Sequence, residues 1–190
     1  GETPIATPTI GSASALSTTS IRWNFTDNSS SETGYRVFDT GNIQKVQCAT
    51  ADISYCDETG LSINTQYTRK IAGYNGNGNS SYSSTANNYT LATTPGTTVV
   101  NNAQDTSLDV NPDPNSSPTS TEMVIYKETG ASCDGVGGSY LAANGSDNSS
   151  TPVWQTESSW ATITATGLSE MTEYSFRVKS RNGDNVETSW

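Results

Sequence analysis

Gly60-Leu61-Ser62-Ile63-Asn64-Thr65-Gln66-Tyr67 returns 107 residues later as Gly167-Leu168-Ser169-Glu170-Met171-Thr172-Glu173-Tyr174. Both copies read G-L-S-x-x-T-x-Y. The agreement runs on, because Ile71, Gly73 and Asn75 follow the first Tyr at the offsets of Val178, Ser180 and Asn182 after the second. An echo at domain-length spacing marks one structural unit used twice. A chain of 190 residues allows one or two domains, and the repeat selects two. We place them at 1–94 and 95–190, joined by the short connector Thr93-Thr94-Pro95-Gly96.

Apolar residues make up only 32% of the chain, and many of the rest are Ser, Thr and Asn. An antiparallel sandwich uses apolar residues economically, since every second side chain of a strand faces the core. Thr18–Phe25 shows that alternation, with Ile21, Trp23 and Phe25 on one face and Arg22 and Asn24 on the other, the period of a half-buried strand. Tyr35–Phe38, Lys45–Cys48, Ile53–Tyr55 and Gln66–Tyr74 read as further strands. After them, Asn75-Gly76-Asn77-Gly78-Asn79 is a turn of residues tolerant of positive φ, and Ser80–Leu91 closes the unit.

The second unit repeats the plan through strands at Ser107–Val110, Glu122–Glu128, Trp160–Gly167 and Glu173–Lys179, with Val110 standing where Trp23 stood. Two features are its own. An insertion rich in Gly, Asn and Ser runs from about 130 to 152, between the C and E strands, and long loops without periodicity are either functional or tolerated excursions. The chain also reaches Trp190 where the first unit has reached Tyr82, so an incomplete last strand is expected, its edge completed by further chain or by a neighbour.

The residues resemble tandem fibronectin type III domains: Trp23 on the second strand, the two G-L-S-x-x-T-x-Y segments, and the Y-x-x-x-[IV]-x-[GS]-x-N run into a Gly-containing turn. The resemblance implies an all-β fold of two immunoglobulin-like sandwiches. It also implies that Tyr67 and Tyr174 form tyrosine corners, bonding backbone a few residues upstream. Leu61 and Leu168 would be buried beside them, with Trp23, Ile71 and Val178 in the cores. The acidic, Ser/Thr/Asn-rich style is similar to copies on bacterial cell-surface and secreted proteins. No Arg-Gly-Asp tripeptide occurs, so the integrin-ligand role of some relatives does not carry over.

The net charge of −10 repels phosphate backbones and anionic headgroups, which argues against nucleic acid and against membrane surfaces. No stretch is apolar enough to span a bilayer, and any anchor is expected outside this chain. With no His at all, Ser-His-Asp and Cys-His nucleophile pairs are excluded. Neither catalytic residues nor a cofactor are expected. Asp134, Asn144 and Asp147 in the insertion carry calcium-type oxygens, yet they follow no EF-hand spacing and read better as solvated loop groups, so no metal site is assigned.

Cys48 and Cys56, eight apart on adjacent extended segments, read as a disulfide of an oxidising compartment, the alternative being two reduced cysteines in neighbouring strands. Cys133 has no obvious partner. Trp154 and Trp160 flank the point where the insertion rejoins the sandwich, and at least one of them is expected in the core in place of the missing Trp. The alternative is an exposed pair that contacts protein or carbohydrate. Trp154 and Trp190 stand as candidate contacts for protein or carbohydrate. Sequons at Asn24, Asn28, Asn79, Asn88, Asn115, Asn144 and Asn148 matter only in a source that glycosylates Asn.

The expected function is a non-catalytic extracellular or cell-surface module pair. It would be a spacer or adhesive segment whose partners are proteins, itself or neighbouring domains, with carbohydrate as a second class. A filament or surface-layer subunit built by strand addition is the alternative. Accessory domains of a secreted polysaccharide-degrading enzyme are a further one.

Overall fold

The computed structural model describes residues 3–132, 134, 135, 137–147 and 150–190; Cys133 and the sequon at Asn148 lie outside them. It divides into two compact units, Gly1–Leu91 and Ala92–Trp190.

The first unit holds β1 (Thr9–Ser17), β2 (Ser20–Thr26), β3 (Gly34–Phe38), β4 (Gln44–Cys48), β5 (Tyr55–Thr59), β6 (Gln66–Asn75), β7 (Gly78–Asn79) and β8 (Ala86–Tyr89). One sheet has the order β1-β2-β5, and the other is β4-β3-β6 with β7 and β8 also paired to β6. All pairings are antiparallel. The alternation read in Thr18–Phe25 becomes the inward face of β2, where Ile21, Trp23 and Phe25 meet Tyr35, Val37, Cys56 and Ile71 in one core.

One local expectation needs correction, and one strand was not anticipated. The strand expected at Ile53–Tyr55 begins only at Tyr55 and runs to Thr59, because Trp23 pairs with Cys56 and Ile21 with Glu58. The long β1 carried no apolar alternation strong enough to announce it. Its inward residues Ala13 and Ala15 face Trp23 and Ile21, small side chains opposite large ones.

The second unit holds β9 (Val99–Gln104), β10 (Ser107–Asn111), β11 (Glu122–Thr129), β12 (Ser139–Tyr140), β13 (Gln155–Thr156), α1 (Glu157–Trp160), β14 (Ile163–Thr166) and β15 (Tyr174–Arg181). Its sheets are β14-β10-β9, and β11 with β15 on one edge and β12 and β13 on the other. The extra chain falls in two places. Part of it lengthens the β11–β12 hairpin, since Tyr126 pairs with Tyr140 where Phe38 pairs with Gln44. Part interrupts the strand that corresponds to β4 between Tyr140 and Gln155, which pairs with Met123. That excursion is anchored: Leu141 is fully buried in the second core, and the Thr166 N–H donates to the Gly145 carbonyl at 3.0 Å.

The expected strand at Trp160–Gly167 starts late. Thr156 caps a single helical turn, its hydroxyl accepting from the Ser159 N–H at 3.2 Å, and Trp160 ends that turn. The indole is 1% exposed and donates from Nε1 to the Met123 carbonyl at 2.8 Å. It fills the second core beside Val110, Met123, Ile125 and Val178, so the ring missing at Val110 enters from another element.

Candidate functional site

The repeated motif does the same thing in both units. The Tyr67 hydroxyl accepts from the Ser62 N–H at 2.9 Å, and the Tyr174 hydroxyl from the Ser169 N–H at 3.0 Å. Each bond pins the loop that carries the motif to the start of β6 or β15. The donated bond from Ser169 also holds the Tyr174 phenol below its ordinary value. Leu168 is buried, whereas Leu61 is half-buried and packs against the edge of the first core. Trp23 and Ile71 are fully buried and Val178 nearly so. These positions hold the sandwiches together, and Leu168 and Tyr174 also line an open depression beside Leu108 and Met171.

Cys48 and Cys56 form a disulfide. Because Cys48 ends β4 and Cys56 lies on β5, the bridge ties one sheet of the first unit to the other. Deeper in the same unit, Glu58 accepts from Arg69 Nη2 at 2.7 Å, from Arg69 Nε at 2.9 Å and from Trp23 Nε1 at 2.9 Å. Both charged side chains are almost wholly buried. Nothing in the sequence singled out that pair, because a Glu and an Arg eleven residues apart show no pattern until β2, β5 and β6 are packed.

The candidate contacts Trp154 and Trp190 converge on one surface of the second unit. Along β15, Arg177, Lys179 and Arg181 point to the side opposite Val178, as strand alternation requires. Aromatic rings fit between them: Arg177 lies 4.2 Å from the Trp190 ring, Lys179 4.6 Å from it, and Arg181 4.5 Å from the Trp154 ring. Tyr126 and Tyr140 extend the row, with centroids 5.8 and 6.4 Å from Trp190. Carboxylates flank it, since Arg181 Nε donates to Glu122 at 2.6 Å and Lys179 pairs with Glu187.

The outcome is a cation–aromatic ladder in which Trp190 remains 38% exposed. Two cations lie against its ring, so a sugar stacking where they sit would have to displace a guanidinium or an ammonium. The alternating Arg177-x-Lys179-x-Arg181 was the available signal in sequence, a charged row on one face of a strand.

Two of the insertion's oxygen-bearing residues have protein partners. Asp147 pairs with Lys127 at 2.6 Å and accepts from the Ser139 hydroxyl, while Asn144 caps its own turn by accepting from Ser146. Several sequon amides are also engaged: Asn24 donates to the Ser12 carbonyl, Asn28 to Thr7 and Asn115 to Thr94. At the C-terminal end, the Thr188 N–H donates to the Ser180 carbonyl, matching Ser80 on Gly73. The β15 backbone at Tyr174–Phe176, whose counterpart in β6 pairs with β8, has β11 as its one partner strand among the described residues.

No family model matches the sequence, and no curated protein matches it. Among solved structures, a segment of two fibronectin type III domains from chicken tenascin is similar over 96% of this chain and 94% of that one. Its TM-score is 0.60 and its identity 16%. The FN1-FN3 domains of chicken contactin (CNTN1) align with 100% of this chain and 67% of that one, at 16% identity and a TM-score of 0.40. At that identity the tenascin likeness is one of fold. With the two sandwiches, their strand orders and both tyrosine corners, it shows that the chain has the fold of tandem fibronectin type III domains.

Proposed function

We propose that the chain is a non-catalytic structural and adhesive segment of a larger extracellular or cell-surface protein, with proteins as its main class of partner. The observation that carries this reading is where the reactive side chains are used. Buried Glu58 and Arg69 bond each other, both corner tyrosines bond backbone, and the cysteines β4 and β5 supply join two sheets. A sandwich stabilised in this way is suited to holding a surface in place. The surface with the most contact character is the ladder around Trp190, since exposed aromatic and Arg side chains are the usual anchors of protein interfaces. The disulfide fits an oxidising compartment.

Antibodies raised against the chain should label intact source cells or the culture medium. Labelling confined to the interior of lysed cells would overturn the location. Turnover by the purified chain on polysaccharide, ester or peptide panels would overturn the non-catalytic reading.

A further inference from the structure

Three carboxylates meet at one end of the first sandwich, each from a different loop. Asp27 follows β2, Glu32 precedes β3 and Asp52 precedes β5. One oxygen from each lies within 4.8 Å of the others. Two ligands of a single Ca2+ at ~2.4 Å can stand no farther apart than about that distance. No Lys or Arg pairs with any of the three among the described residues, although seven other ion pairs are formed there.

Two further oxygens point to a ligand. Glu32 is 94% buried; its Oε1 accepts from the Asp52 N–H at 3.4 Å, while its Oε2 has no hydrogen-bond partner. Tyr35 is 99% buried, and its hydroxyl is directed at Asp27 without a hydrogen-bond partner of its own. Buried polar atoms are nearly always satisfied, and a buried carboxylate oxygen left unpaired is costly. The fold does not require this arrangement. Through the strand pairings Val37–Ile71 and Ile125–Val178, Glu32 corresponds to Ser120 and Tyr35 to Met123 in the second unit, which builds its core without either.

We propose that Asp27, Glu32 and Asp52 bind a hard divalent cation, Ca2+, with the Tyr35 hydroxyl facing the site. The donor set is oxygen alone, which suits Ca2+ over zinc or copper. Loops from three strands give the irregular, adaptable geometry that Ca2+ accepts and Mg2+ does not. A bound ion would satisfy Glu32 Oε2, offset the repulsion among the carboxylates and tie three loops at that end. The sequence hid the site because its ligands are spread from residue 27 to residue 52, and the calcium-type residues grouped in sequence were those of the insertion.

The test uses the full chain and Tb3+, a Ca2+-like ion that emits when a nearby Tyr or Trp is excited. Tb3+ emission sensitised by the protein should saturate and be displaced by Ca2+, with a Kd for Ca2+ between about 10⁻⁴ and 10⁻³ M, the range of extracellular modules. Glu32→Gln should weaken binding at least about tenfold, and so should Asp52→Asn, an exposed position whose change leaves folding intact. The control Glu170→Gln should bind as the parent does. Emission that fails to saturate, that Ca2+ does not displace, or that survives unchanged in Asp52→Asn would overturn the proposal.

Discussion

Glu58 and Arg69 offer the sharpest test of how the first sandwich is held. The two side chains are 6% and 8% exposed, so a lone partner cannot recover its loss from water. Arg69→Met leaves the Glu58 carboxylate with only the Trp23 N–H. Glu58→Leu leaves the guanidinium with the Thr68 carbonyl at 3.0 Å and the Tyr67 ring at 5.0 Å. Breaking a buried pair on one side costs about 3–5 kcal/mol. The double variant removes both charges and leaves chiefly the Trp23 N–H unsatisfied, a loss of about 1–3 kcal/mol. It should therefore be more stable than either single variant, against the 6–10 kcal/mol that additivity would give as a rough sum. Urea unfolding followed by hydrogen exchange in β2 and β6 would measure this. With a slope near 1.5 kcal/mol/M, each single change should move the midpoint by about 2 M or more. Single losses below about 1 kcal/mol would show a pair behaving as an exposed salt bridge, and additive losses would refute the buried-pair reasoning.

Replacing Cys48 and Cys56 together by Ala should cost about 2.5 kcal/mol, the loop-closure value for nine residues, and lower the first unit's Tm by about 10–15 °C. A calorimetric shift under about 3 °C would mean that the bridge constrains little. Gly145→Ala places a Cβ 1.9 Å from the Thr164 carbonyl oxygen at φ +83. It should destabilise the second unit by about 2 kcal/mol or more in denaturant melts, where a change near zero would show the excursion detached from β14. Asp109 accepts from Asn102 and Thr164, and those bonds hold its carboxyl below the ordinary value. Its contribution is thus present above about pH 4 and is lost as pH falls through the depressed folded value. The midpoint gap between the parent and Asp109→Asn should narrow from pH 5 to pH 2.5, and a constant gap would refute that linkage.

What could be read in the sequence was what repeats or alternates. G-L-S-x-x-T-x-Y located both corners because a hydroxyl and the N–H it bonds are five residues apart, a local relation. Ile21, Trp23 and Phe25 declared β2 by their period. Other features depend on partners far along the chain. β1 is written in Ala and Ser because Trp23 and Ile21 fill the space opposite, so its alternation is one of size more than of polarity. Trp160 looked like the start of a strand, whereas a Thr156 cap turned its backbone into a helical turn and carried the ring inward. The insertion read as a loop, yet Leu141 within it is core, since a single apolar residue among Gly and Asn has no period to reveal it.

Comparison of the two copies separates what the fold demands from what each unit adds. Position for position, Lys70, Ala72 and Tyr74 on β6 correspond to Arg177, Lys179 and Arg181 on β15. The first unit has one cation in that row, with Lys70 4.2 Å from the Tyr82 ring. The second has three, with Trp154 and Trp190 between them. At the end where the first unit gathers Asp27, Glu32 and Asp52 around Tyr35, the second has Ser120 and Met123. Both sandwiches keep the corner and a full core, so neither the cationic ladder nor the carboxylate cluster is needed to close a sandwich of this kind. Each adds charge that must be paired or solvated, and each occurs in one copy alone. The Trp190 row of the second unit, proposed above for protein contact, and the Glu32 end of the first, proposed for a cation, are the two places where the copies differ in this way. The cations of the ladder are paired with Glu128, Glu187 and Glu122, whereas the buried Glu32 Oε2 has no hydrogen-bond partner, so of the two only the carboxylate end carries an uncompensated charge.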